Sequence, residues 1–268
     1  MNNSDDSGRG GFGLAFREAA ASALVLAGCA AALHSAPADA AGMTVNVGTE
    51  PAFAPFEYTD EKTKEFVGFD MDIIKAVGKA GGFEVKISSL PFDGIIPAVL
   101  TGTIDAAISA ITITEERAKK VDFTEPYYDA GLGILINNKV KDSVKSQEDL
   151  KGRTICVQIA TSGAMLASKI EGARVTQFNS APETYIELGK GGCDAVINDF
   201  PVHAYYMATA KPGNITLLPG MITSEQYGIM MSKSKPKVQE AIRAGLAKIK
   251  SGGTYDAIYR KWFGDARQ

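Results

Sequence analysis

Arg117 sits in the run ITITEERAKKVDFTEPYY (residues 111–128), behind two threonines and two glutamates and ahead of an aromatic, proline-bearing segment. One reading of it is local. Thr114 caps a short helix, Glu115 and Glu116 suit its first turn, and Arg117, Lys119 and Lys120 form its solvated face. The other reading is chemical, because Arg117 closely follows the run DAAIS (105–109), and open α/β sheets bind ligands beyond the carboxyl ends of their strands. Several other polar groups share that placement. Ala110 and Thr112 follow the same run, Asp199 follows DAVIN (194–198), and Thr161, Ser162 and Gly163 open a helix after TICVQ (154–158), where backbone amides are free. Glu50 and Phe53 lie beyond the first strand and Phe92 beyond the second. One guanidinium, one carboxylate, a set of amides and two aromatic faces would suit a small zwitterion, and an α-amino acid is such a molecule.

Catalytic constellations are sparse by comparison. Of two histidines, His34 falls in a leader-like segment and His203 inside a helical pattern, where it reads as a partly buried helix residue. A single imidazole argues against a His-rich metal site and against a Ser-His-Asp triad. No P-loop is present, and the glycine-rich run at residues 8–13 does not follow a strand, so it carries no nucleotide meaning. Net charge is -3 and no basic stripe appears, which argues against nucleic acid, because phosphate binding needs clustered Lys and Arg.

The elements that must position these groups follow from periodicity. With 268 residues, 45% hydrophobic and 22% charged, the chain suits one large or two medium domains. TVNVG (44–48) alternates as a strand does. Asp70 opens a helix carrying Ile73, Ile74 and Val77, FEVKI (83–87) returns to period two, and a helix with Ile95, Ile96 and Leu100 leads to DAAIS. This βαβαβ order implies parallel pairing. GLGILINN (131–138) restarts the pattern: a short helix opens at Ser146, TICVQ leads into a helix over 162–170, and RVTQF (174–178), a helix over 182–188, DAVIN and a helix over 201–208 complete a second unit. YGIMM (227–231) resembles GLGILI in character, and the two uncharged strands read as segments crossing between the units, which makes the first domain discontinuous. Val238, Ile242, Leu246 and Ile249 form the core stripe of a late helix. Thr254 caps the last one, whose Tyr255, Ile258, Tyr259, Trp262 and Phe263 read as packing.

The first 42 residues differ in kind. AAASALVLAGCAAAL (19–33) is apolar and too short for a comfortable membrane span, as in a secretory leader. Leu26-Ala27-Gly28-Cys29 has the form of a lipobox, which would lipidate Cys29. Ala38-Asp39-Ala40 has the form of a cleavage site, which would release a free chain. The expected location is outside the cytoplasm, periplasmic or at the cell surface, with contact to a membrane at most through such an anchor. With Cys29 in the leader, Cys156 and Cys193 remain as an even pair in an oxidising compartment, which favours a disulfide over two small buried thiols.

The segments GTEPAFAPFEY, FVGFDMDIIKAVGK, PFDGIIPAVLTGTIDAAISAITITEER, VDFTEPYY, DAVINDFP and GTYDAIYRKWFG closely resemble the polar amino-acid solute-binding proteins of ABC importers. The likeness covers roughly residues 43–263 and is greatest for those that bind glutamine, with relatives that bind arginine, lysine or histidine. It implies an α/β, two-lobed periplasmic-binding-protein type II fold, each lobe a mostly parallel sheet flanked by helices, joined by two hinge strands. Residues 43–128 with 229–268 would form the first lobe and 129–228 the second, with hinge segments near 128–131 and 225–228. No cofactor is expected. The expected partners are a free L-amino acid and an ABC transporter permease, and the expected state is a monomer.

The resemblance also assigns roles. Arg117 would clamp the ligand carboxylate with its planar fork, helped by amides at Thr112 and near Ser162 and Thr161. Asp199, the Ala110 carbonyl and the Thr112 hydroxyl would hold the ammonium, and Phe53 and Phe92 would wall the side chain. Where the glutamine-binding pattern has Asp, Lys and His, this chain has Glu50, Gln158 and Asn198. Arg117 and Asp199 already balance a zwitterion, so Glu50 would leave a negative charge facing the ligand side chain, unless it turns to solvent or pairs with a protein cation. An unpaired buried charge is costly, and a cationic side chain would neutralise it, which favours arginine or lysine over glutamine. The same fold also hosts dehydratases of cyclohexadienyl acids, for which Glu50 would be the general acid.

Overall fold

The computed structural model describes residues 42–265. The leader, Cys29 and His34 lie outside the described residues. Among the described residues no helix is long and apolar enough to cross a membrane.

Alternation of Val45 and Val47, both fully buried, builds the strand Thr44–Thr49, which pairs in parallel with Glu84–Ser89 and Ala106–Ala107. Helices Phe69–Gly81 and Phe92–Thr101 supply the crossovers. Met230–Met231 then enters the same sheet antiparallel, between Ala106–Ala107 and Asp122–Phe123. The second sheet is ordered Arg174–Phe178, Thr154–Gln158, Ala195–Asp199, Leu132–Asn137, Ile215–Leu217. Its first two joins are parallel and its last two antiparallel. Two sheet-containing lobes of α/β type result.

The chain passes between the sheets twice, through Tyr128–Ala130 and Glu225–Tyr227, and these two strands pair with each other. The sequence pattern had placed the crossing in GLGILI and YGIMM. Instead Leu132–Asn137 lies wholly buried inside the second sheet and Met230–Met231 inside the first. A continuous apolar run marks burial on both faces, so the uncharged runs signalled sheet interiors, and the crossing falls on the half-exposed residues beside them.

Local differences have local causes. The DAAIS run pairs only over Ala106–Ala107, because the chain turns away at Ala110, whose φ is 46°. Asp70 sits in the first turn of its helix without capping it; its buried carboxylate accepts instead from the Ala110 amide at 2.8 Å and the Tyr127 hydroxyl at 2.8 Å. The helix expected from Ser146 is a single 3-10 turn, Glu148–Leu150, the helix from Ser162 stops at Ala167, and Gly253 rather than Thr254 occupies the cap of Thr254–Phe263. His203 is fully buried rather than partly so. Its Nδ1 lies 3.2 Å from the Tyr185 hydroxyl, and burial pushes its pKa down to about 3.

Around the crossing strands the core is aromatic. Phe56, Phe69, Tyr128, Tyr227 and Phe263 meet edge to face, stacked or tilted, with centroids 4.9 to 6.1 Å apart for Phe56 and its four neighbours. Such pairs contribute about 0.5–1.5 kcal/mol each beyond the area they bury. The last helix joins this cluster through Tyr255, Ile258, Tyr259, Trp262 and Phe263. In the second lobe Cys156 and Cys193 form a disulfide, Cα to Cα 5.9 Å, tying Thr154–Gln158 to the turn that precedes Ala195–Asp199.

Candidate functional site

Parallel strands deliver their carboxyl ends to one edge of each sheet, and the two edges face one another. Thr44–Thr49 ends at Glu50, Thr154–Gln158 at Gln158, and Ala195–Asp199 at Asp199. Between them lies a cleft lined by Glu50, Phe53, Phe92, Ala110, Thr112, Arg117, Gln158, Thr161, Ser162 and Asp199, together with Glu57 and Ser109.

Asn198 is the exception among the residues singled out from sequence. Its amide nitrogen donates to the Tyr185 hydroxyl at 3.2 Å inside the second lobe. Successive strand residues face opposite sides, so with Asp199 at the cleft Asn198 is directed away. Glu57 and Ser109 were missed. Ser109 directly precedes Ala110 at the same strand end, whereas Glu57 sits in a short side strand, Glu57–Thr59, that periodicity does not resolve.

Of the local reading of Arg117 the cap is present, whereas its place on a solvated face is not. Its backbone amide is capped by the Thr114 hydroxyl at 3.2 Å, yet the residue is only 5% exposed. Two of its five N–H groups are used: Nη1 donates to the Thr112 carbonyl at 2.7 Å and Nη2 to the Ala160 carbonyl at 2.9 Å. The guanidinium also lies over the Phe92 ring, 5.5 Å from its centre. Burial lowers its pKa, while Asp199, Glu225 and Glu116 oppose the shift; an arginine stays charged regardless.

Asp199 accepts from the Tyr227 hydroxyl at 2.6 Å. Burial pushes its pKa up to about 7, with the Tyr227 bond lowering it, the Glu225 charge raising it and Arg117 lowering it. Glu50 is similarly displaced to about 7, chiefly by burial, and the amide of Gln158 donating to Oε2 at 2.6 Å partly offsets this. Glu50 is 8% exposed and, among the described residues, has no cationic partner. Behind it a relay runs from the Glu50 amide to Ser109 Oγ, 3.0 Å, and from Ser109 to Glu57 Oε1, 2.9 Å. Burial and the neighbouring Asp70 hold Glu57 well above the usual carboxylate range.

The hydroxyls of Thr112 and Ser162 lie at the cleft lining. Both donate to Glu225, at 2.8 and 2.9 Å. Thr161 caps its six-residue helix and donates to the Gln158 carbonyl at 2.7 Å. Gln158 to Glu50 and Arg117 to Ala160 are bonds directly between the lobes. The cavity left inside measures about 10 Å³, room for about one water-sized sphere. Among the described residues no cluster of His, Cys, Asp and Glu could hold a metal ion.

The profile of the bacterial extracellular solute-binding proteins, family 3, matches residues 45–265. A probable histidine-binding protein of Neisseria gonorrhoeae is 34% identical over 252 residues, 91% of this chain and 92% of its own length. The ABC transporter glutamine-binding protein GlnH of Bacillus subtilis is 34% identical over 212 residues, 77% and 76% of the two lengths. Among solved structures, an ancestral arginine-binding protein bound to arginine is 40% identical with a TM-score of 0.79, covering 82% of this chain and 98% of that one. These relatives are named for binding, which sets aside the dehydratase reading of Glu50. The chain belongs to the bacterial extracellular solute-binding proteins of family 3.

Proposed function

We propose that this protein captures a free polar L-amino acid between its lobes and presents it to the permease of an ABC importer, and that arginine or lysine is the preferred ligand. In this reading the spare N–H groups of Arg117 hold the α-carboxylate, and Asp199 in the opposite lobe receives the α-ammonium. Each charge-assisted bond contributes about 1.5–3 kcal/mol net, so two anchors and aromatic cover suffice for micromolar binding, about 8 kcal/mol. Because the anchors sit on different lobes, the ligand meets both only in the closed form, and that form is what the transporter recognises. The protein works outside the cytoplasmic membrane as a monomer, either free after cleavage of its leader or held by a lipid on Cys29.

The observation that carries the ligand preference is Glu50: buried, aimed into the cleft and met only by a neutral amide. Two alternatives that would remove its charge from consideration, exposure to solvent and a protein cation, have no support in its surroundings. A cationic side chain entering beside it restores the charge balance. Glutamine stands second, because the Gln158 amide already demonstrates a geometry by which a carboxamide satisfies Glu50. Histidine, arginine and glutamine all appear in the names of the relatives, so the test spans them. A thermal-shift screen against the twenty amino acids, followed by calorimetry, is expected to single out arginine or lysine. A ligand at a thousandfold excess over Kd stabilises by about 4 kcal/mol. No response to any amino acid would end the proposal, and a response to glutamine alone would end the cationic preference.

A further inference from the structure

We propose that Glu225 is a latch that sets how readily the two lobes close, acting from the crossing strand without lining the cleft itself. A single oxygen, Glu225 Oε2, accepts from Thr112 Oγ1 of the first lobe at 2.8 Å and from Ser162 Oγ of the second at 2.9 Å. Its other oxygen accepts from Thr223 Oγ1 at 3.2 Å, which fixes the side chain's direction. Thr112 is itself held to the crossing region, through its bridge to Tyr227 and the Ile113 amide on the Gln226 carbonyl. Ser162, by contrast, travels with the second sheet. Rotation about the paired strands Tyr128–Ala130 and Glu225–Tyr227 therefore separates Ser162 from Thr112, and one oxygen satisfies both hydroxyls only in the closed arrangement.

The other bonds between the lobes, Gln158 to Glu50 and Arg117 to Ala160, are made by groups an arriving ligand would touch. Glu225 is absent from the cleft lining although Thr112 and Ser162 belong to it; a hydroxyl that donates to Glu225 keeps its lone pairs for a ligand, so the link survives ligand entry and adds to closure in both situations. It is a positioning residue: the affinity of a two-state binder falls in proportion to the fraction of competent form. The proposal rests on the amino-acid-binding reading for its affinity readout, but not for its readout of lobe separation.

The test uses the full chain with Glu225→Asp, which keeps the charge near Arg117 and withdraws the carboxylate by one methylene, and Glu225→Gln, which keeps the reach and one acceptor oxygen. Small-angle X-ray scattering without added amino acid reads the radius of gyration, and calorimetry with L-arginine reads Kd. Expected for Glu225→Asp are a larger radius and about tenfold weaker binding, carried mainly by faster release, with Glu225→Gln closer to the parent. Adding Ser162→Ala to Glu225→Asp is expected to produce little further change, since both remove the same link. An unchanged radius and Kd in Glu225→Asp, or tighter binding, would overturn the latch, and so would a loss confined to Glu225→Gln, which marks a charge effect. Should the parent protein bind no amino acid, the functional reading fails, and the comparison of radii still decides the latch.

Discussion

Replacing Glu50 by glutamine isolates the electrostatic cost built into the cleft. Burial raises the Glu50 pKa from 4.5 to about 7, above its unfolded value, so between those two pH values the folded protein binds more protons than the unfolded one. Stability therefore declines as pH rises from about 4.5 to about 7, and the full cost is present above that window. At 1.36 kcal/mol per pKa unit the cost at pH 8 is at most about 3 kcal/mol. Glutamine has nearly the same shape and keeps an oxygen to accept from Gln158, but never ionises. The variant is thus expected to be more stable than the parent by up to ~3 kcal/mol at pH 8, with the gap shrinking to less than about 1 kcal/mol at pH 5. Asp199 and Asp70 are common to both proteins and cancel in the difference, while Glu57, which the Glu50 charge helps to raise, is relieved in the variant and widens the gap in the same direction. Urea titrations at several pH values measure it directly, and in melting experiments the gap at pH 8 corresponds to about 10 °C. A stability difference that stays constant with pH, or grows on acidification, would refute a buried, cation-free Glu50 and with it the argument for a cationic ligand.

Two further perturbations probe other elements. Arg117→Ala removes the only cation in the cleft lining and is expected to weaken amino-acid binding by about 3 kcal/mol, roughly a hundredfold, in a calorimetric titration; near-normal affinity would contradict its role. Reducing the Cys156–Cys193 bond, which spans 37 residues, is expected to cost about 4 kcal/mol in the chain-entropy account and to lower the melting temperature by about 10 °C; a shift below about 2 °C would show that the bridge adds little.

Much of the cleft is legible in the sequence because strand ends are. Alternation locates the strands, and the residues just beyond them lie near the sheet edge, which makes Glu50 and Asp199 legible, whereas Gln158 is singled out only through the family resemblance. The same alternation, applied one residue further, would have turned Asn198 away. Glu225 was invisible for a different reason: 113 residues separate it from Thr112, and nothing in a local pattern announces a contact made across a crossing strand. Uncharged runs look alike whether they span two lobes or fill the middle of a sheet, so periodicity alone puts the crossing a few residues from the segments near 128–131 and 225–228 that the family resemblance implies. Asp70 shows the same limit on a smaller scale, since a carboxylate in a first helical turn looks like a cap even when its partners, Ala110 and Tyr127, come from elsewhere.

Tyr128 and Tyr227 stack with centroids 5.6 Å apart and planes 20° from parallel, and they belong to the very strands that join the lobes. The junction of the lobes is thus faced with stacked rings, while parting of the lobes would wet both the polar groups of Arg117, Asp199, Glu50 and Gln158 and the rings of Phe53 and Phe92. Heat capacity tracks apolar hydration, so an opening that wets two rings raises it far less than melting of either lobe. Calorimetry can in this way tell a protein that is merely ajar from one that has begun to come apart.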